Sequence, residues 1–224
     1  MTLSKRLSYV ASFVSPGAFL ADIGSDHAEL PLFLLEKGVI TSAVAVENKP
    51  GPYARMAKAV SASPYATKIR LSLSDGISAL PEEVDTVVLA GMGGKLIEKI
   101  LSDHPERLQK VRTLVIDAHK EREELIAFLA GRGYRLSREI FFFDGGVAYD
   151  VERWDQSKTP VKYSVKQCRF GPLNLQEKNP DFIAYFSAQL AHYESLLSLK
   201  NLSAKNRQDY FGKAQEIKEA LHGN

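Results

Sequence analysis

Five short apolar runs, at residues 19–23, 42–47, 69–74, 85–90 and 114–117, alternate along the chain with segments of helical spacing. The runs are rich in Val, Leu and Ile and do not alternate strictly between apolar and polar residues, as expected of strands buried on both faces of a parallel sheet. Residues 28–37, 51–62, 94–101 and 120–131 have helical character. This alternation leaves few folds open, because parallel neighbours need a crossover that packs back onto the sheet. A doubly wound α/β sheet is the expectation. Ahead of it Leu3, Leu7, Val10, Ala11 and Val14 recur at helical spacing until Pro16-Gly17 stops them.

After the last crossover the pattern changes. Residues 134–143 and 147–154 flank Asp144-Gly145-Gly146, a turn suited to a β-hairpin. A parallel sheet that finishes in an antiparallel hairpin is the class I methyltransferase (Rossmann-like) arrangement, and most nicotinamide-binding domains lack it. Residues 1–154 are read as this domain. From Asp155 the composition loosens into a linker. Asn179-Pro180 then supplies an N-cap with proline at the first helical position. Ile183, Phe186, Leu190, Tyr193 and Leu197 are spaced by three and four, as are Tyr210, Ala214, Ile217 and Leu221, with Asn201-Leu202-Ser203 between the two series. Residues 155–224 are therefore read as a linker and an antiparallel helical hairpin with a coiled-coil-like seam. Tyr185, Phe186 and Tyr193 are assigned to its core.

In such sheets ligands bind outside the carboxyl ends of the strands, where the strand order reverses. The first strand ends Asp22-Ile23-Gly24-Ser25-Asp26-His27-Ala28. Gly24 permits a tight turn and a close ligand. The loop has one glycine and two carboxylates where a dinucleotide fingerprint would have three glycines. That charge would repel a pyrophosphate and accommodate a sulfonium with an amino-acid tail, which favours S-adenosylmethionine over NAD. Asp26 could instead cap the following helix. Glu47, with Asn48 beside it, ends the second strand, where a carboxylate can accept both ribose hydroxyls. Asp75-Gly76 ends the third, and Ala90-Gly91-Met92-Gly93-Gly94 follows the fourth. Any one acid here could be merely solvated, and the glycines could serve only a tight turn. Three acids on successive strand ends argue for a site.

The segments at 3–14, DIGSDHAELP, AGMGG and RFGP (Arg169-Phe170-Gly171-Pro172) ahead of a helical hairpin resemble the bacterial TrmK family in the same order over nearly the whole chain. The resemblance implies S-adenosylmethionine-dependent methylation of N1 of adenine 22 in tRNA. It implies that Asp22, Gly24, Glu47, Asp75, Gly76, Gly91 and Met92 line the cofactor, with Ser25, Asn48 and Gly93 counted beside them, and that Asp26 and His27 stand near the methyl group. In that role Asp26 stabilises the charge that develops on the base and His27 orients or takes a proton. His27 could equally be a packed histidine bonded to a backbone carbonyl. The chain departs from the family pattern at Glu29, Ala59 and Asp117-Ala118-His119, where the family has Tyr, Asn and Gln-Pro-Asn. Asp117 and His119 offer a second acid–base pair.

The net charge of +2 does not announce a nucleic-acid binder, but residues 155–224 hold ten lysines and arginines against seven acids. That surplus is either a solvated helical face or a tRNA contact, for which Lys158, Lys162, Lys166, Arg169, Lys200, Lys205 and Arg207 are candidates. The single cysteine, Cys168, excludes an internal disulfide and a multi-cysteine metal site. No run is long and apolar enough to span a membrane. A cytoplasmic monomer or weak homodimer is expected. Two alternatives stand beside the methyltransferase: a related module that binds cofactor or RNA without turnover, and an NAD-dependent oxidoreductase favoured by fold analogy alone.

Overall fold

The computed structural model describes residues 1–223. In chain order its first half runs α1 (Lys5–Phe13), β1 (Leu20–Ile23), α2 (Glu29–Glu36), β2 (Ala43–Glu47), α3 (Pro50–Ser61), β3 (Ile69–Leu73), β4 (Thr86–Met92), α4 (Gly94–Ser102) and α5 (Pro105–Leu108). There follow β5 (Thr113–Ala118), α6 (Arg122–Gly131), β6 (Tyr134–Asp144), β7 (Val147–Gln156), α7 (Val165–Phe170), α8 (Asn174–Glu177), α9 (Pro180–Leu197) and α10 (Ala204–His222). The seven strands form one sheet in the order β3-β2-β1-β4-β5-β7-β6. Pairing is parallel from β3 to β5 and antiparallel at β7 and β6. The doubly wound sheet and its terminal hairpin are as the sequence implies.

Burial on both faces explains the unbroken apolar runs. On β1, Leu20 packs with Val10 and Phe13 of α1, Leu34 of α2 and Met56 of α3. Its neighbours Ala21 and Ile23 point the other way, toward Ile97 and Leu101 of α4 and Leu125 and Leu129 of α6. The order reverses between β1 and β4, so the ends of those strands bound the crevice where ligands of this fold sit.

The C-terminal region differs from its sequence reading in two ways. β7 runs two residues past Trp154, and the stretch that reads as a linker contains α7 and α8. These helices are too short to show a period, although a capping box marks the start of α7: Ser164 Oγ accepts from Gln167 N, and Gln167 Oε1 accepts from Ser164 N. Second, Ile183 is 45% exposed while its neighbour Phe182 is fully buried. The start of α9 packs on Phe141 of β6 as well as on Ile217 and Ala220 of α10, which turns its inner face by one position. Further along, the expected seam holds: Tyr193 meets Tyr210 (ring centroids 5.8 Å apart), and Ala214 and Ile217 are buried. Tyr185 and Phe186 pack in the same cluster as Phe141.

A polar latch fixes the base of this module. Arg122, at the first position of α6, is ringed by Glu139, Asp150 (3.4 Å) and Glu152 (2.5 Å). The other oxygens are used as well. Glu139 Oε2 accepts from the N–H groups of Leu173 and Asn174, Asp150 from the Asn174 amide, and Glu152 Oε2 from the Trp154 indole. A Cβ on Gly171, whose φ is +89°, would collide with the Glu139 carboxylate. The glycine of RFGP therefore lets the turn after α7 close over this network. Burial raises Glu139 and Asp150 above the usual carboxylate range against the pull of Arg122. Burial also opposes charge on Arg122, but the three acids together hold it firmly protonated.

Candidate active site

The β1–α2 loop is held in an uncommon shape. Asp26 and Ala28 both lie in the left-handed region, at φ 44° and 54°. Such residues each cost on the order of 1–3 kcal/mol and gather at ligand sites. Two contacts sustain the loop. Glu47 Oε1 accepts the Asp26 N–H at 2.7 Å, and Asp22 Oδ2 accepts the Ser25 hydroxyl at 2.5 Å. Gly24 (φ +75°) turns the chain where a Cβ would lie 2.6 Å from the Met92 methyl.

Two cavities meet at Gly24. One, of about 110 Å³, is lined by Glu47, Asn48, Asp75, Gly76 and Met92 together with Leu96 and Ile100. The other, of about 190 Å³, is lined by Asp22, Ser25, Asp26, His27 and Glu29, and by Arg6 of α1. The structure thus brings together ten of the twelve residues the sequence points to. Gly91 and Gly93 line neither cavity. Gly91 sits under Arg6 and His119, and Gly93 faces Glu121. The neighbouring Gly94 has a packing reason, since its N–H donates to the Lys120 carbonyl at 2.8 Å and a Cβ there would strike the backbone of Glu121. A larger cavity, about 760 Å³, lies by Thr113 and Tyr134 at the opposite end of the sheet, away from the strand ends where this fold binds ligands.

The charges are arranged for a ligand with both signs. Burial pushes the Asp22 carboxyl up to about 6, with the Ser25 hydroxyl opposing, Glu47 adding to the rise and Arg6 opposing. Arg6 is the residue the sequence reading missed. It reaches the cavity while its Nη1 bonds Asp117 Oδ2 at 2.7 Å, a contact 111 residues apart in the chain. No spacing in α1 signals it. Asp117 is 1% exposed, and its Oδ1 has no partner.

Three other readings are corrected. Asp26 does not cap α2: the cap position is Ala28, and the Asp26 carboxylate is gripped by Arg55 of α3 at 2.9 and 3.2 Å. His27 is not a packed histidine, since its side chain is 51% exposed and stands 3.7 Å from Asp26. Asp117 and His119 are not an acid–base pair, because Asp117 is spent on Arg6 below the surface while His119 is exposed. Of the tail cations, Lys166 bonds the Glu219 carbonyl, Arg169 pairs with Glu216 and Arg207 bonds the carbonyls of Leu197 and Leu199. Lys158, Lys162, Lys200 and Lys205 make no ion pair among the described residues. Within the same residues no helix is long and apolar enough to cross a membrane.

The donor set suits S-adenosylmethionine. Acids face both cavities, and the loop between them offers no glycine-rich nest for a pyrophosphate. Comparison with known proteins agrees. The model of the TrmK family, described as tRNA (adenine(22)-N(1))-methyltransferase, matches residues 20–222. The Bacillus subtilis (strain 168) tRNA (adenine(22)-N(1))-methyltransferase is 30% identical over 98% of this chain and 92% of its own length. The crystal structure of the B. subtilis m1A22 tRNA methyltransferase TrmK superposes with a TM-score of 0.83 at 27% identity, covering 98% of this chain and 99% of that one. Streptococcus pneumoniae Sp1610 in complex with S-adenosyl-L-methionine gives a TM-score of 0.89 at 36% identity, covering 99% of this chain and all of that one.

Proposed function

The chain belongs to the TrmK family of tRNA (adenine(22)-N(1))-methyltransferases, and from that premise we infer that it methylates N1 of adenine 22 in tRNA with S-adenosylmethionine. The observation that carries this reading is the convergence of Asp22, Glu47 and Asp75 on two cavities joined at Gly24, at the point where the strand order reverses. The nicotinamide alternative had only fold analogy behind it and is set aside.

The residues divide by chemistry. Glu47 and Asn48 hold the ribose, and Asp75 and Gly76 the adenine end, over the apolar Met92. Asp22 with Ser25 takes the ammonium of the amino-acid end and Arg6 its carboxylate. S-adenosylmethionine, when bound, supplies an electrophilic methyl group on a sulfonium. Adenine N1 is neutral before the transfer and cationic after it, so a carboxylate near the base lowers the barrier. Asp26, kept in place by Arg55 and by its N–H bond to Glu47, is assigned that role. His27 beside it orients the base or accepts a proton from the exocyclic amine. Aligning the reacting groups does most of the rest.

Residues 1–154 form the cofactor-binding part, and 155–224 help hold the folded tRNA through phosphate contacts from Lys158, Lys162, Lys200 and Lys205. The protein acts in the cytoplasm as a monomer or weak homodimer. Incubation with unmodified tRNA and methyl-labelled cofactor, followed by nucleoside analysis, tests the reading. Label in 1-methyladenosine at position 22 is expected; no label across a complete tRNA pool would overturn it in favour of a module that binds without turnover.

A further inference from the structure

A cleft of about 280 Å³ separates the end of β5 and the β6–β7 hairpin from α7 and α9, and His119, Lys120, Tyr149, Arg169, Tyr185 and Gln189 line it. It opens beside the end of β5, next to the β4 strand end that carries Gly91. His119 Nε2 lies 3.6 Å from where a Cβ on Gly91 would sit. Its aromatic rings are braced from behind: Tyr149 stacks on Phe142 (5.2 Å, 17°) and Tyr185 rests on Phe141 (5.3 Å). Neither tyrosine hydroxyl has a hydrogen-bond partner among the described residues. Lys120 and His119 are exposed and make no ion pair there, whereas Arg169 is shared with Glu216. The acid at the floor, Asp150, is occupied by Arg122 and Asn174. The slot therefore offers a free lysine ammonium, an exposed imidazole and braced rings.

Chemistry at N1 demands such a slot. N1 lies on the Watson–Crick edge, so the adenine must be unpaired or drawn out of the stack to react. Its neighbours then lose their own stacking partner, and proteins hold unstacked bases on aromatic rings and their phosphates on cations. We propose that this cleft holds the nucleotide adjoining the methylated adenine, with its base against Tyr149 and Tyr185 and its phosphate on Lys120 and His119. The proposal rests on the reading of the chain as a tRNA adenine-N1 methyltransferase.

The test is steady-state methylation of transcribed tRNA, intact or abasic on either side of adenine 22, by the wild type and by Tyr149→Ala, Tyr185→Ala and Lys120→Ala. S-adenosylhomocysteine titration runs in parallel. Tyr185→Ala should raise KM for tRNA by about 5–150-fold, the range for losing one base–aromatic stack, with cofactor affinity unchanged. An abasic site at the held position should impair the wild type to a similar extent and leave Tyr185→Ala no further loss. Wild-type kcat/KM for every variant and abasic transcript, or losses that multiply independently, overturn the cleft and leave the methyltransferase reading standing. A wild type that binds cofactor but methylates no tRNA removes both. Should Tyr149→Ala lose cofactor binding through misfolding, Tyr185→Ala and the exposed Lys120→Ala decide.

Discussion

Each half of the sheet gathers three carboxylates, and the two sets are used in opposite ways. At the ends of β1, β2 and β3, Asp22, Glu47 and Asp75 face cavities with hydrogen-bonding capacity to spare. Glu47 spends one oxygen on the Asp26 N–H and Asp22 one on Ser25. On the hairpin, Glu139, Asp150 and Glu152 surround Arg122 and spend further oxygens on backbone N–H groups, the Asn174 amide and the Trp154 indole. The hairpin trio is close enough together to hold a metal ion, but the guanidinium already stands among its oxygens. Clustering and burial therefore do not distinguish a site from a strut. Unspent capacity facing a cavity at the strand ends does.

The hairpin set should break hardest. Arg122→Ala strands buried carboxylates without their cation, and urea denaturation should show a loss of about 3–5 kcal/mol. Adding Glu139→Gln to that variant should recover part of the loss. A double variant no better than the single one would mean that repulsion among the acids is not what Arg122 relieves.

Variants at the open set should instead move function. Asp26→Asn is expected to lower kcat on the order of 10²-fold while the melting temperature stays near the wild-type value. Glu47→Ala should weaken S-adenosylhomocysteine binding by roughly 1.5–3 kcal/mol, the range for hydrogen bonds to a charged group. Glu47→Gln, which can still accept the Asp26 N–H, should lose less.

Protonation sharpens the same contrast. The Asp22 carboxyl is raised from 3.8 to about 6 in the folded chain. The stability it lends is complete below 3.8 and is lost as pH rises through about 6, because ionisation is disfavoured in the folded state. A ligand ammonium reverses that preference. Affinity for S-adenosylhomocysteine should therefore rise as pH passes about 6, and Asp22→Asn should flatten the profile. A flat wild-type profile would place the ammonium elsewhere. The smallest effect is expected at the foot of α9, where Asn179 caps the helix and its amide reaches the Phe141 carbonyl. Asn179→Ala should cost ~1 kcal/mol with cofactor binding intact.

Much of this was legible in the sequence because it follows from local rules. Strands buried on both faces read as unbroken apolar runs, and the topological rule then directs attention to their last residues. That route reaches Asp22, Glu47 and Asp75 without a structure. What it misses depends on neighbours remote in the chain. Arg6 enters the site through Asp117, which no period in α1 records. Phe182 replaces Ile183 in the core because α9 begins on β6. The charges of Arg122, Glu139, Asp150 and Glu152 lie scattered over three elements, α6, β6 and β7, each ordinary in its own segment. Gly171 enters the sequence reading only as part of the RFGP motif, and the Glu139 carboxylate above it shows why no side chain fits.

The most direct test of the contrast is calorimetric titration of S-adenosylhomocysteine into the wild type, Asp22→Asn, Glu47→Ala and Glu139→Gln. The two strand-end variants should bind more weakly and Glu139→Gln should match the wild type, since its carboxylate belongs to the latch. Equal affinity in all four proteins, or a loss confined to Glu139→Gln, would contradict the assignment of the strand-end acids to the cofactor.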